Sequence, residues 1–409
     1  MIPPLMTRIL YLAPVEWGSV RQRPQQLASR LARHFDVRYV EPVGLRSARL
    51  ADLRRIVRSA KPSRNMPESV PVIRPRYFPI LGYGAIDRAN RRWLLRQLSR
   101  QFDFDGEPWI LWLTTPSLLA EILLERTAPS LVVYDCMDRY AAFHSGATSK
   151  RIERAEAAVV RRADLIFATS PSLAERLDQL HDVVLVPNGV ETAAFAVDRG
   201  AQPAWKTSAP VAGFYGTLGD WVDFDLLVDL ARRRPQWSFV FAGPQVSREF
   251  DRLRKLANVR YLGVVGYDEL ARHAAWFDVG LVPFRLNALT RYVHPIKALE
   301  YLATGLPVAS APLPDLADYS GVIRFAKSSS EWLAAIDASL SGEARSADAV
   351  VRRRKAVAAD DWDNRASVIV DHLKKGMRNL LPDQSADRGA TVTPGGTRRF
   401  SNRELQFAA

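Results

Sequence analysis

Short apolar runs alternate with amphipathic segments along most of the chain. Residues 109–113 and 131–135 are almost continuously hydrophobic, as expected of strands that are covered on both faces. Leu27, Leu31 and Phe35 recur at helical spacing after an apolar run at 8–13. The pattern therefore predicts an α/β protein with parallel sheets. The alternation resumes in the second half of the chain, with predicted strands at 211–215, 238–242, 259–262, 279–283 and 322–325.

A segment with the character of a linker separates the two series. Residues 186–195 read VPNGVETAAF, in which Asn-Gly favours a turn, and 197–210 are polar and contain proline. The tail is rich in Gly, Thr, Arg and Asp with little periodicity, which predicts that it is mostly disordered. We therefore expect a first domain at 1–188, a second domain at 189–360, a helix at 361–376 and a tail at 377–409.

Composition indicates a folded protein without disulfide bonds. Hydrophobic residues make up 47% of the 409 positions, which is enough for sizeable cores. The single Cys136 excludes an intrachain disulfide and favours a reducing compartment such as the cytoplasm. No apolar run approaches the length of about 18 residues that a membrane-spanning helix needs. Because prolines and Arg8 interrupt the apolar N-terminus, we interpret it as the approach to the first strand and not as a signal peptide.

The net charge of +13 is concentrated in one region. Residues 46–100 contain 14 Lys or Arg against three acids, which suits an anionic partner such as a membrane surface, a lipid-linked acceptor or nucleic acid. Nucleic acid is disfavoured because no zinc spacing or RNP-like aromatic set is present. Residues 86–102 can form an amphipathic helix with Trp93, Leu94 and Leu98 on one side. Such a helix can lie on an anionic membrane or can face the core with a solvated back; the clustering of charge favours peripheral membrane contact.

The richest candidate site is TRYVHPIKALEYLATGLPVASA at 290–311. Pro295 suits the first position of a helix over 296–304, Gly305 suits its left-handed C-terminal position, and a buried strand follows. Lys297 and Glu300 are three residues apart and share one face. Lys297 lies at the positive end of the helix, where a diphosphate is stabilised, and Glu300 can accept hydrogen bonds from ribose hydroxyls. A solvent-facing ion pair is the alternative for these two residues.

The run PIKALEYLATGLPV closely resembles the donor-binding segment of the GT-B glycosyltransferases. The resemblance extends roughly from Arg8 to Leu373. It implies a GT-B fold, in which two Rossmann-like doubly wound domains face each other across a cleft and the last helix crosses back to the first domain. It also implies that Lys297 contacts the diphosphate and Glu300 the ribose of a nucleotide sugar. Many retaining members carry a second Glu where this chain has Tyr292, which leaves the donor-sugar contact and the stereochemical outcome open.

The second domain offers further donor-site candidates. Gly216 and Thr217 form a tight turn after a predicted strand, where the missing Cβ lets backbone N–H groups approach a phosphate. The resemblance places Val264 at the nucleobase and Phe284 near the nucleotide, although core positions are the alternative for both. Arg285, Asn287 and Thr290 are candidates for the donor sugar. The expected donor-binding set is Gly216, Thr217, Leu218, Val264, Phe284, Ile296, Lys297 and Glu300.

The first domain offers candidates for catalysis and acceptor binding. Asp135 and Asp138 follow a strand in VYDCMDRY, and two carboxylates there can act as a base and its orienting partner, unless one only caps a helix or makes a turn. Asp138 resembles the general base of inverting GT-B glucuronosyltransferases of bacterial polysaccharide synthesis. The expected catalytic residues are thus Asp138 and Lys297. The expected acceptor-side residues, each of which also suits an ordinary structural role, are Trp17, Arg21, Arg23, Asp135 and His144.

These features together predict a glycosyltransferase that moves a sugar from a nucleoside-diphosphate sugar to a saccharide or lipid-linked acceptor in bacterial surface polysaccharide biosynthesis. UDP is expected from its frequency in the family. No metal or other cofactor is expected, because Cys clusters and H-x-H or H-E-x-x-H motifs are missing and the D-x-D formed by Asp223 and Asp225 suits a helix start. We expect a cytoplasmic enzyme on the inner face of the plasma membrane. The alternatives are a nucleotide-sugar epimerase or hydrolase, and a non-catalytic binding protein of the same fold.

Overall fold

A computed structural model describes residues 6–43, 70–77, 84–178 and 180–380. The basic region 46–100 is therefore described only in part. Of the tail predicted at 377–409, residues 377–380 belong to the last helix and the remainder lies outside the described residues.

The described residues form two parallel sheets, one in each domain. Each sheet has the order of a doubly wound fold, in which the chain first builds outward from a central strand and then crosses to its other side. This confirms the predicted pair of Rossmann-like domains. The first sheet runs in the spatial order β3 (Val72–Ile73), β2 (Asp36–Val40), β1 (Arg8–Leu12), β4 (Trp109–Leu113), β5 (Leu131–Cys136), β6 (Leu165–Ala168), β7 (Val183–Leu185). The second runs β10 (Val259–Tyr261), β9 (Ser238–Ala242), β8 (Val211–Tyr215), β11 (Val279–Val282), β12 (Val308–Ser310), β13 (Ile323–Phe325).

Helices cover both sheets. Those of the first domain are α1 (Arg23–Leu31), α2 (Gly84–Ser99), α3 (Leu118–Arg126), α4 (Gly146–Arg162) and α5 (Pro171–Asp178). Those that follow are α6 (Thr192–Phe195), α7 (Phe224–Arg233), α8 (Phe250–Leu253), α9 (Tyr267–Ala274), α10 (Ile296–Thr304), α11 (Ser329–Ala338), α12 (Gly342–Arg345), α13 (Ala347–Ala356) and α14 (Trp362–Leu380). Short 3₁₀ helices lie at Tyr140–Phe143, Thr290–Tyr292, Pro314–Tyr319 and Ala358–Asp360.

The sheet order fixes where ligands can bind. The strand order reverses between β1 and β4 in the first sheet and between β8 and β11 in the second. In open α/β sheets the crevice at the carboxyl ends of such neighbouring strands is the usual binding site. The sheet order therefore directs attention to the residues that follow these strands.

The chain passes between the domains twice, and the two passages are tied together. The N–H of Val190 donates to the carbonyl of Asp360 at 2.9 Å, and the N–H of Trp362 donates to the carbonyl of Val190 at 3.1 Å. Beyond this bridge, α14 packs on the first domain, where Ile369 and Leu373 are buried in the core. This helix is longer than its sequence interpretation because the apolar spacing continues after the predicted end.

Helix α2 faces the core of the first domain. Leu94 and Leu98 are buried there, and Arg91 forms ion pairs with Glu121 and Glu125 of α3. The apolar side of the helix is thus covered by protein and cannot enter a membrane. The opposite side presents the exposed arginines Arg88, Arg92 and Arg96, and the exposed Arg100 directly follows the helix. Among the described residues, none of the helices combines the length and the apolar character needed to cross a bilayer.

Candidate active site

Helix α10 carries the two residues that the sequence singled out. It spans Ile296–Thr304 as predicted. Pro295 is in an extended conformation at the N-cap (φ −80°, ψ 102°) and is not the first helical residue, and Gly305 follows the helix with φ 85°. The end is fixed by α13, since Arg353 Nε donates to the carbonyl of Gly305 at 2.7 Å. A cation at this end complements the helix dipole. The opposite, positive end faces the cleft.

Lys297 lies directly against Gly216. A Cβ atom added at Gly216 would be 2.6 Å from Cε of Lys297 and 3.4 Å from its Nζ. Gly216 also has φ 130°, a conformation that L side chains rarely adopt. The glycine therefore allows the lysine to lie across the end of β8. These two expected donor-site residues are brought together at the mouth of α10.

Gly243 supports this arrangement and was missed by the sequence interpretation. It follows β9 as Gly216 follows β8, and it has φ 126°. A Cβ added there would be only 2.1 Å from the carbonyl oxygen of Gly216. The sequence did indicate this turn, because Ala-Gly-Pro at 242–244 directly follows the strand predicted at 238–242.

Glu300 is buried one turn deeper on the same helix. Its side chain lies beside Tyr215 and Tyr267, and the residue is 4% exposed. Burial raises its pKa to about 7, although Lys297 and the two tyrosine hydroxyls favour the charged form. The hydroxyl of Tyr215 makes no hydrogen bond of normal geometry to the described residues. Glu300 is therefore a buried carboxyl group beside two tyrosine hydroxyls and not a solvent-facing ion-pair partner.

The other expected donor residues occupy different environments. Val264 follows β10 and is 69% exposed, so its side chain is accessible from the cleft edge. Thr217 is partly exposed, and Ile296 packs against the core of the first domain. Leu218 and Phe284 are buried in the core of the second domain. Phe284 thus occupies a core position, which is the alternative considered for it, and Leu218 is buried as well.

The loop before α10 is held by its own contacts. Arg285 forms an ion pair with Glu249 at 2.6 Å. The side chain of Asn287 accepts hydrogen bonds from the N–H groups of Leu289 and Thr290. The side chains of these candidates for sugar contact are therefore engaged in shaping the loop.

Asp138 approaches the mouth of α10 from the first domain. It lies in the loop after β5 and keeps some solvent contact although it is densely surrounded. Burial raises its pKa to about 7, and nearby Lys297 lowers it in part. A carboxyl group with a pKa near neutrality can accept a proton and release it again under physiological conditions.

Asp135 does not orient Asp138. It is fully buried and forms an ion pair with Arg23, with 2.7 Å between Oδ1 and Nη2 and 3.0 Å between Oδ2 and Nε. Arg23 also donates to the carbonyl of Val186 at 2.9 Å. The pair joins α1, β5 and the start of the interdomain passage. The expectation that Arg23 and Asp135 face the acceptor is therefore wrong, because both side chains lie in the interior.

The remaining acceptor-side candidates lie in three different parts of the structure. Trp17 is buried edge-on against Tyr39, with ring centroids 4.8 Å apart, so it belongs to the core and not to the acceptor surface. Arg21 turns towards the second domain and lies over the ring of Tyr267. His144 is exposed and packs on Tyr140. Of the five candidates, only His144 is exposed on the surface of the first domain.

Aromatic residues near His144 extend this surface across the cleft. Phe143 is 42% exposed and meets Trp221 of the second domain edge-on, with centroids 6.3 Å apart. An open depression of about 480 Å³ adjoins it and is lined by Ala142, Phe143, His144, Ser145 and Thr148. Sequence reasoning missed Phe143 and Trp221 because their contact joins positions far apart in the chain.

Tyr292 is the residue at which the family resemblance led us to look for a second acid. Its ring lies 5.6 Å from the guanidinium of Arg139, which also pairs with Glu153 at 3.3 Å. Tyr292 therefore joins the two domains and supplies no carboxylate. Within the part of the chain that the structure describes, no three His, Cys, Asp or Glu side chains are grouped so as to hold a metal ion.

Comparisons with known sequences support the family resemblance. Residues 209–341 match the sequence profile of the family described as Glycosyl transferases group 1. A protein of Bacillus subtilis (strain 168), provisionally named a teichuronic acid biosynthesis glycosyltransferase, is 30% identical over 228 residues. The match covers 51% of this chain and 57% of that protein, so the chain spans little more than half the length of this curated relative.

Solved structures match almost the whole chain. Sucrose-phosphate synthase of Thermosynechococcus elongatus has a TM-score of 0.70 at 15% identity, covering 91% of this chain and 100% of its own. Anabaena HepE in complex with UDP-glucose has a TM-score of 0.62 at 16% identity, with coverages of 90% and 99%. Trehalose 6-phosphate synthase of Burkholderia multivorans has a TM-score of 0.61 at 12% identity, with coverages of 92% and 98%. The predicted GT-B fold and the resemblance to GT-B glycosyltransferases are confirmed.

Proposed function

We propose that this GT-B protein is a glycosyltransferase that uses a nucleoside-diphosphate sugar, with UDP as the expected nucleotide, in bacterial surface polysaccharide biosynthesis. One observation carries the proposal. Lys297 lies across Gly216 at the positive end of α10, Glu300 lies one turn deeper, and Asp138 faces them from the other domain. The name of the Bacillus subtilis relative supports the polysaccharide context.

The donor would bind along α10. Its diphosphate would lie at the mouth of the helix, where the ammonium of Lys297 and the free N–H groups of the first turn stabilise negative charge. The ribose would lie deeper, with its hydroxyls donating to Glu300. As the glycosidic bond to the diphosphate breaks, negative charge grows on the departing oxygen beside Lys297, so the stabilisation is greatest in the transition state.

Asp138 would act as the base. It would accept the proton of an acceptor hydroxyl while that oxygen forms its bond to the anomeric carbon of the donor sugar. Its proximity to Lys297 supports this role, because proton removal and leaving-group stabilisation would then lie on two sides of one cleft. The tyrosine at 292 leaves Asp138 as the better placed carboxylate for the reacting sugar.

The acceptor would be a saccharide, free or linked to a lipid. His144, Phe143 and the depression beside them offer an aromatic and polar surface of the kind that binds sugar rings. A lipid-linked acceptor suits the outward arginines of α2, which favour anionic lipid headgroups by charge alone. We therefore propose that the protein works in the cytoplasm at the inner face of the plasma membrane.

The test is product formation from a panel of UDP-sugars, with and without vesicles that carry lipid-linked saccharides. The account expects acceptor-dependent release of UDP that is lost in Lys297→Ala and kept in Arg33→Ala, an exposed first-domain control. Equal UDP release without acceptor would indicate a hydrolase, and recovery of an epimerised sugar would indicate an epimerase. Binding of UDP with no turnover on any acceptor would indicate a non-catalytic protein.

A further inference from the structure

The loop between β1 and α1 crosses the cleft at the donor side. The guanidinium of Arg21 lies 5.7 Å from the ring centroid of Tyr267, the first residue of α9. Its Nη2 atom is 3.5 Å from Oε1 of Glu191, in the segment that links the domains. From the first turn of α1, Nε2 of Gln26 lies 3.3 Å from the hydroxyl oxygen of Tyr267. Two first-domain side chains thus hold one second-domain tyrosine.

Tyr267 is firmly placed in the second domain. Its ring packs edge-on against Phe195 of α6, with centroids 5.8 Å apart. Burial raises the pKa of its hydroxyl well above the usual range, and the nearby carboxylates of Glu300 and Glu191 act in the same direction. The contact with Arg21 and Gln26 therefore lies immediately beside the carboxyl group of Glu300.

The order of residues along α10 then decides which part of a donor this contact would cover. Lys297 faces Asp138 at the mouth of the helix, whereas Glu300 faces Tyr267 one turn deeper. The first domain consequently meets α10 at two separate places. One lies at the diphosphate end of the proposed donor site, and the other lies at the ribose end.

We propose that Arg21, Gln26 and Tyr267 form an interdomain latch that closes over the ribose end of a bound nucleoside diphosphate, so that the nucleotide leaves only when the latch opens. The proposal rests on the proposed function, because it takes Glu300 as the ribose ligand. Arg21 suits the role since it stacks on the tyrosine and pairs with Glu191 at the same time. A planar guanidinium can make both contacts, whereas the compact ammonium of lysine cannot.

The latch can be tested on the full chain with UDP as the probe. Dissociation of UDP is followed by stopped-flow tryptophan fluorescence, and affinity is measured by calorimetry. In Arg21→Ala we expect UDP to dissociate about tenfold faster, which corresponds to a loss of about 1.4 kcal/mol from the barrier to release. Arg21→Lys should be nearly as fast, and Tyr267→Phe should be intermediate because it keeps the ring but loses the contact to Gln26.

A matched control and a double variant separate the outcomes. Arg33 follows the same helix α1 but is exposed and pairs with Asp363 at 3.1 Å, so Arg33→Ala should release UDP at the wild-type rate. The combined Gln26→Ala and Tyr267→Phe variant should be no faster than Tyr267→Phe, since both substitutions remove the contact between Gln26 and the Tyr267 hydroxyl. If the wild type binds UDP and the Arg21 and Tyr267 variants release it at the wild-type rate, the latch is wrong while the proposed donor site stands. If the wild type does not bind UDP, both proposals fail.

Discussion

Lys297 and Asp138 belong to different domains and face each other across the cleft, close enough for the ammonium to lower the pKa of the carboxyl against the larger, opposite effect of burial. Lys297 lies in the first turn of α10 in the second domain, and Asp138 lies in the loop after β5 in the first domain. Because neither domain contains both groups, the proposed chemistry requires the two domains in contact.

Asp138→Asn tests the role of the base. Transfer to acceptor should fall by about 10²–10⁴, the usual contribution of a general base. Affinity for UDP, measured by calorimetry, should stay the same or rise, because a negative charge next to the diphosphate is removed. In the wild type, kcat should decline as pH falls below about 7, since the base must be unprotonated. A variant that transfers sugar at the wild-type rate would place the base elsewhere.

Asp135→Asn tests whether the buried ion pair of Asp135 with Arg23 has a structural role. Removal of one partner leaves the charge of Arg23 buried and unpaired, which should destabilise the fold by about 3–5 kcal/mol. Thermal unfolding should show this loss, whereas the KM for acceptor should be unchanged in the folded protein. The control is Asp363→Asn, which removes a largely exposed partner of Arg30 and Arg33 and should cost less than about 1 kcal/mol. A raised acceptor KM without loss of stability would restore Asp135 to the acceptor site.

Glu300→Gln should separate stability from binding. The folded pKa of Glu300 is raised to about 7, so the unfolded chain releases this proton first as pH rises. As pH rises from the pKa of the unfolded chain to that of the folded protein, the free energy of unfolding therefore falls by a total on the order of 3 kcal/mol. It remains lower by this amount above the folded pKa. We expect the variant to unfold at a higher temperature than the wild type at about pH 8, with the difference fading in acid, and to bind UDP weakly. If the variant and the wild type unfold at the same temperature both at about pH 8 and in acid, Glu300 is not a buried charge that destabilises the fold.

Gly243→Ala tests the backbone that supports Lys297. The added Cβ would lie 2.1 Å from the carbonyl oxygen of Gly216, so the end of β8 must move. Gly263→Ala is the matched control, because Gly263 also has positive φ (77°) but a Cβ there would meet nothing within 4 Å. The control should lose about 1–2 kcal/mol from backbone strain alone. The Gly243 variant should lose more and should also lose UDP affinity; equal effects in the two variants would exclude a role for the clash.

The sequence was sufficient for features that depend on neighbours along the chain. The strand–helix alternation predicted both sheets, and Pro295 and Gly305 predicted the bounds of α10. Gly243 was equally accessible, since it ends a strand in the same manner as Gly216. These features follow from local periodicity and from the conformational freedom of glycine.

Features that depend on distant partners were out of reach. Arg23 and Asp135 are 112 residues apart in the chain, and a charged residue in a loop gives no sign that it will find a buried partner. The sequence predicted Arg21 at the acceptor side because its loop follows the first strand, whereas in the structure it lies over the ring of Tyr267 in the second domain. The amphipathic pattern of α2 was real, yet it could not tell whether protein or lipid covers Leu94 and Leu98.

The central claim is that the mouth of α10 binds a nucleoside diphosphate through Lys297. Calorimetric titration of UDP and of uridine into the wild type and Lys297→Ala tests it most directly. The account predicts that the wild type prefers UDP to uridine, and that the variant loses about ten- to hundredfold in UDP affinity, as expected for a charge-assisted hydrogen bond, with little change for uridine. Equal UDP affinity in the two proteins, or no binding of UDP by the wild type, would contradict it.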